Sequence, residues 1–311
     1  MSPHPTLSRR AFLQTTALAA LAPAGAFAAA PARRRAIDAH VHVWTPDTVR
    51  YPLADGFTKE KDMKPPSFTP AELFAHCRPE GVDRVVLVQM SFYQFDNRYM
   101  LDVIKEHPGT FSGIGIVDET QSNVRETMKT LATQGVRGFR LYTSREKAEA
   151  WSQSEGMKKM WSYAAEAGLS MCLLANADAL PAVQRMCAAY PRTPVVIDHC
   201  ARIGVSGTIP PADLDNLCRL AGFKHTHVKT SAFYALGAKK APHTELAPLI
   251  RRLRDAYGAS RLMWASDCPY QVQGVHTYAA SIALIRDRLD FLTAEERDWI
   301  LRKTAEKVFF A

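Results

Sequence analysis

Apolar residues alternate with polar or small ones along Ala36-Ile37-Asp38-Ala39-His40-Val41-His42-Val43-Trp44, the two-residue period of a half-buried β-strand. Side chains on a strand point to alternate faces. Asp38, His40 and His42 are therefore expected on one face, with Ile37, Val41 and Val43 on the other. Seven further apolar runs read as strands: Arg84–Met90, Phe111–Val117, Val136–Tyr142, Leu169–Ala175, Val195–Cys200, His227–Phe233 and Leu262–Cys268. Amphipathic stretches between them read as helices: Tyr99–His107, Asn123–Gln134, Met157–Ala167, Ala182–Tyr190, Ala212–Ala221 and Glu245–Tyr257. Strands alternating with helices at this spacing imply parallel βαβ units. Eight of them predict an α/β fold of one domain, a closed (β/α)8 TIM barrel.

Two helix starts are written into the chain. Thr69-Pro70-Ala71-Glu72 supplies a cap, a proline in the first turn and an early acid, and Thr293-x-x-Glu296 is a capping box opening a last helix to Phe309. Thr45 to Pro70 shows no period and reads as a long loop after the first strand, with Lys59, Lys61 and Lys64 in solvent. Met157, Met160 and Trp161, at helical spacing, are expected to pack the barrel wall. No glycine-rich phosphate-binding motif follows any strand, which removes the usual nucleotide sites.

With 47% apolar residues in 311, the chain can bury a large core. Its formal charge of +8 is scattered among acids, apart from Arg33-Arg34-Arg35. No basic stripe is interleaved with aromatics, so nucleic acid is not an expected partner. A modest positive field suits a small anionic substrate. Residues 1–28 read as a twin-arginine signal peptide: Ser8-Arg9-Arg10-Ala11-Phe12-Leu13, then an apolar segment from Ala17 to Leu21, then Ala26-Phe27-Ala28 as a cleavage site. That segment is too short for a permanent membrane anchor. The expectation is a chain handled by the twin-arginine export machinery and sent to the periplasm, with residues 29–35 a basic linker and 36–311 the barrel. Six cysteines show no paired spacing and suggest no particular disulfide. Oligomeric state is not legible.

Barrels of this kind carry their active sites at the carboxyl ends of the strands. Those ends hold His40 and His42, then Arg140 and Tyr142, then Asp198 and His199, then Lys229 and Ser231, then Ser266 and Asp267. Two imidazoles two residues apart on a strand can reach one ion or one substrate group. Each residue also has a plainer reading. His199 alone would be a core histidine, and Asp267 before Cys268-Pro269 would cap a turn. Asp198 is expected on the outer side of its strand and Asp38 in the barrel floor. Lys229 is ambiguous by parity. His76, His107, His225, His227, His243 and His276 are expected in solvent, with His276 near enough to strand eight to line the site.

Taken together, His40-x-His42, Val196-Ile197-Asp198-His199 and Trp264-Ala265-Ser266-Asp267-Cys268-Pro269 resemble the amidohydrolase superfamily. The branch is the amidohydrolase-related one containing 2-pyrone-4,6-dicarboxylate lactonase and sugar lactonases. Gly138-Phe139-Arg140 and the ending Thr304-Ala305-Glu306-Lys307-Val308-Phe309 match that branch too, and the likeness runs from Ile37 to Phe309.

The resemblance implies a lactone hydrolase in which Asp267 activates water while His40, His42 and His199 polarise the carbonyl or hold the oxyanion. Burial is expected to raise the pKa of Asp267 toward that of a useful base. Arg140 matches a position that grips a substrate carboxylate, and Tyr142 on the same face is expected to help orient it. His40, His42, His199 and Asp267 also match positions that bind a divalent metal in metal-using relatives, so the site takes one Zn2+ or Mn2+, or works without metal. Strand four lacks the bridging Lys or Glu of binuclear relatives, and strand five, Met171 to Asn176, lacks their histidine. A two-metal site is not expected. Two alternatives stay open: a mononuclear metal-dependent decarboxylase of an aromatic or semialdehyde acid, and a ligand-binding barrel without catalysis.

Overall fold

The computed structural model describes Met1 and residues 35–311. The twin-arginine segment and the linker up to Arg34 lie outside the described residues. Eight parallel strands run in order β1-β2-β3-β4-β5-β6-β7-β8: Ala36–Val41, Val82–Val88, Phe111–Gly115, Val136–Thr143, Ser170–Ala175, Val195–Ile197, Thr226–Ser231 and Leu262–Ala265. Past the end of β8 the sheet closes on β1. The amide of Asp267 donates to the His40 carbonyl at 2.9 Å, and that of His42 donates to the Cys268 carbonyl at 2.8 Å. The fold is the expected barrel.

The main helices between strands are Pro70–Cys77, Arg98–Glu106, Val124–Thr133, Glu155–Ala167, Leu180–Ala189, Pro211–Arg219 and Ala247–Tyr257. Both capping boxes are present, on Thr69 with Glu72 and on Thr293 with Glu296. The last helix runs Ala294–Phe309, with a wider π turn over Trp299–Lys303. A helix at Arg145–Ala150, short and highly charged, has no apolar period and gives no sequence signal. The Thr45–Pro70 stretch folds back so that Trp44 pairs with Phe68, burying both rings while Lys59, Lys61 and Lys64 stay exposed.

Two apolar layers hold the barrel. One lies between strands and helices. The other fills the interior, where Ile37, Val86, Ile114, Val196 and Met263 meet Ala305 and Phe309 of the last helix. That helix lies at the amino ends of the strands, where Lys307 and Val308 border a small cavity with Gly168, Pro194 and Lys224.

β1 departs from simple alternation. Its pairing with β2 shifts between Ala36 and Ile37 and again between Asp38 and Val41. Ile37 and Ala39 face the interior, while Val41 belongs to the outer layer. The bulge inserts one residue and changes the face of everything after it. Asp38 therefore does not share a face with His40 and His42. It points outward, accepting from the Tyr278 hydroxyl at 2.7 Å and the Ser266 amide at 2.8 Å.

Candidate active site

Four residues converge at the carboxyl end. His40 Nε2 and His42 Nε2 lie 3.2 Å apart, and Asp267 Oδ1 is 3.6 Å from the first and 3.4 Å from the second. His199 Nε2 stands 3.8 Å from Asp267 Oδ2, and its ring centre is 4.5 Å from that of His40. His42 and His40 come from the bulged end of β1. Asp267 sits just after β8 at φ +65°, a left-handed conformation that Asp tolerates. His199 follows β6 in a turn where His199, Cys200, Ala201 and Arg202 all hold φ between 52° and 57°. Four consecutive non-glycine residues in this region are strained. The turn carries His199 to the inner side directly after Asp198.

Asp198 is a correction. Its side chain is wholly buried inside the barrel, 3.0 Å from Lys229 Nζ, 3.4 Å from His40 Nδ1 and 3.6 Å from Arg140 Nη1. The strand ends at Ile197, so parity with Val196 puts Asp198 inside, and the left-handed turn adds His199 to the same side. Lys229, undecided by parity, also lies inside with no exposed surface. Arg140 and Lys229 thus face Asp198, while Asp267 sits among the imidazoles, and the two cations balance the two carboxylates when the imidazoles are neutral.

The surroundings favour neutral His40 and His199. Burial, reinforced by the Lys229 ammonium, holds His40 well below its ordinary pKa despite Asp198. Burial also lowers that of His199, against Asp267 and Asp198. His42 Nδ1–H donates to the Val88 carbonyl at 2.8 Å. Ser231 Oγ can donate to the Lys229 carbonyl at 3.4 Å while accepting from His199 Nδ1–H at 2.8 Å. These partners turn the Nε2 lone pairs of His42 and His199 toward Asp267. Burial raises the pKa of Asp267, but positive charge on His199 and His40 and a hydrogen bond from His42 outweigh it and hold the carboxyl below the usual carboxylate range, so a proton gained by the cluster goes to an imidazole before Asp267. The expected upward shift does not occur. Asp198 behaves alike: burial opposes its charge, and Lys229, His40 and Arg140 overcome that and keep it ionised.

Arg140 Nη1 lies 3.3 Å from His40 Nε2. Tyr142, 39% exposed, stands beside it with its ring centre 5.2 Å from the guanidinium carbon. Both border a cavity of about 370 Å3 that also reaches His42, His199 and Asp267, a size suited to a small molecule.

Tyr234, Tyr270 and Arg202 share that cavity and were not singled out by sequence. Tyr234 donates its hydroxyl to Asp267 Oδ2 at 2.7 Å, and burial beside that carboxylate pushes its phenol far up, keeping it a donor. It sits in the turn after β7, where no period points, and a Tyr three residues past a strand end was the only signal. His276 packs against Tyr234 at 5.9 Å rather than bordering the cavity. His243 is wholly buried and His227 lies on β7, largely buried, so neither is a solvated histidine.

His40, His42 and Asp267 suit a metal: their donor atoms are 3.2–3.6 Å apart, close to the ~3.3 Å edge of a tetrahedron of ligands about 2.0–2.1 Å from Zn2+. Among the described residues this trio is the set with that spacing.

A family model described as amidohydrolase matches residues 37–311. The chain belongs to the amidohydrolase family. It is 28% identical to L-fucono-1,5-lactonase of Burkholderia ambifaria over 239 residues, covering 75% of this chain and 80% of that one. It is 26% identical to 2-pyrone-4,6-dicarboxylate hydrolase of Comamonas testosteroni over 247 residues, 76% of this chain and 77% of that one. A crystal structure of a Burkholderia multivorans amidohydrolase with bound zinc superposes with a TM-score of 0.74 at 19% identity, covering 88% and 99% of the two chains. This amidohydrolase is a hydrolase, and it has the barrel its family resemblance implied.

Proposed function

We propose that this amidohydrolase opens a lactone of a small carboxylated or sugar-derived acid. The observation that carries the reading is one ionised carboxylate, Asp267, held among three imidazoles beside a guanidinium in a small-molecule cavity. The two relatives compared above, a lactonase and a pyrone hydrolase by name, support it.

In this reading a water oxygen bonds to the ester carbon as Asp267 accepts its proton, giving a tetrahedral oxyanion. The ring C–O bond then breaks, and the proton passes from Asp267 through an adjacent imidazole to the departing ring oxygen. The imidazole that takes this proton, His42 or His199 on the cavity with His40 behind them, donates to the oxyanion before handing the proton on. Tyr234 keeps Asp267 aimed by its hydrogen bond. Arg140 grips the substrate carboxylate, a task matched to a planar guanidinium, and Tyr142 flanks it. His40, His42 and Asp267 would hold a single Zn2+ or Mn2+, which supplies Lewis acidity at the carbonyl when bound. The twin-arginine pattern supports export of the mature chain, with a small anion as its partner.

Asp267→Asn is expected to lower turnover on a confirmed lactone by about 10^3 or more. Near-wild-type turnover in that variant, or release of CO2 without ring opening, overturns the reading. Elemental analysis of untagged protein beside His42→Ala decides the metal: about one equivalent lost in the variant assigns it to this trio.

A further inference from the structure

A second cavity, of about 590 Å3, adjoins the first across Arg140, Tyr142 and Ser91, which border both. The first runs round the strand ends from β4 through β8 to His42 after β1, and holds Arg140, His199 and Asp267. The second lies over the loops after β1–β4, and its character differs. Phe57, Phe95, Trp151 and Met157 wall it, with Glu119 and Lys147 as its charged lining. Among the described residues, the exposed large hydrophobic side chains are Met1, Val49, Phe95, Tyr142, Val205 and Val275. Phe95 at 50% exposure and Tyr142 at 39% both stand on this second cavity. Exposed aromatic surface that lines a concavity is surface kept for a ligand.

We infer that the substrate is a lactone bearing a large apolar arm. Its ring lies against Asp267 and its arm passes Tyr142 into the chamber of Phe95 and Trp151. This rests on the lactonase reading and narrows it. A bare sugar lactone or a compact dicarboxylate would leave the second chamber to water, with its aromatic wall wet. An arm the size of a phenyl or heptyl group would dry it. Arg140 stands at the junction, so a polar group on the substrate belongs between ring and arm. Each added methylene in an apolar pocket is worth roughly ten- to two-hundred-fold in specificity, and binding energy gained on the arm can be used at the ring.

The experiment compares δ-valerolactone with δ-dodecalactone, which adds a heptyl arm, on wild type and Phe95→Asp, alongside calorimetric titration with phenylbutyrate. Phe95 is half exposed, so the change does not disturb the core. Wild type should favour the armed lactone in kcat/KM by at least about tenfold, and Phe95→Asp should erase about tenfold of that preference, chiefly through KM. Phenylbutyrate should bind wild type and lose affinity in the variant. Turnover of both lactones without preference, or equal effects of Phe95→Asp on both, overturns the inference and leaves the lactonase reading standing. No turnover of either lactone, with phenylbutyrate binding that Phe95→Asp abolishes, keeps the chamber and counts against opening of lactones that lack the carboxylate Arg140 grips. No turnover and no binding overturns the inference.

Discussion

The two ends of the barrel interior are built from the same eight strands and obey different rules. At the amino end, Ile37, Val86, Ile114, Val196 and Met263 close on Phe309, and the layer is held by area and volume alone. At the carboxyl end, Asp198 faces Lys229 and Arg140 out of water, with Asp267 among the imidazoles beside them. Lys229 joins them, its ammonium 5.5 Å from the centre of the Phe309 ring below and 3.0 Å from Asp198 above. An apolar layer loses stability in proportion to what is cut away. A charge-balanced layer tolerates no single subtraction, because removing one partner strands the other in a low dielectric.

Lys229→Met tests that difference most severely. It leaves Asp198 short of its nearest cation, and a loss of roughly 3–5 kcal/mol is expected by urea denaturation, with turnover falling too. Lys229→Met with Asp198→Asn should regain much of the stability but not the turnover. A single variant as stable as wild type would mean the pair is not the keystone of the upper layer.

Phe309→Ala tests the lower layer. A cost of about 3 kcal/mol is expected, with kcat/KM within about twofold of wild type. A turnover defect there, in protein still folded, would show that the floor and the site are one unit.

The smallest effect concerns His227, at the amino end beside Arg261 and Lys307. Burial, with those two cations, lowers its pKa to about 4. The unfolded chain binds its proton near pH 6.5 and the folded chain resists it down to about 4. Stability is therefore fully present above pH 6.5 and is lost as pH falls toward 4, by about 2 kcal/mol on reaching about pH 5. His227→Gln should flatten that slope in thermal melts between those limits. An unchanged slope would place the acid sensitivity elsewhere.

The eight strands, the closing helix and both capping boxes were legible because each has a local signature: a two-residue period, a 3.6-residue period, or Thr-x-x-Glu. His40, His42, Arg140, His199 and Asp267 were legible as polar residues at strand ends, and the structure brings them together. What failed was parity. The bulge in β1 sends Asp38 outward while His40 turns inward, and a left-handed turn lets both Asp198 and His199 face the interior. Alternation holds only while the backbone stays regular, and the active end is where it does not. Tyr234 was missed for a related reason: its place is set by a turn, with Ala232 at φ +55°, not by a period.

The left-handed turn after β6 has a further consequence, for how this sequence can drift. Holding Cys200 and Ala201 at positive φ costs about 1–2 kcal/mol per residue, and glycine at Ala201 would remove much of that. Such a change raises the melting point while letting His199 swing. Durability and rate therefore ask opposite things of one small residue.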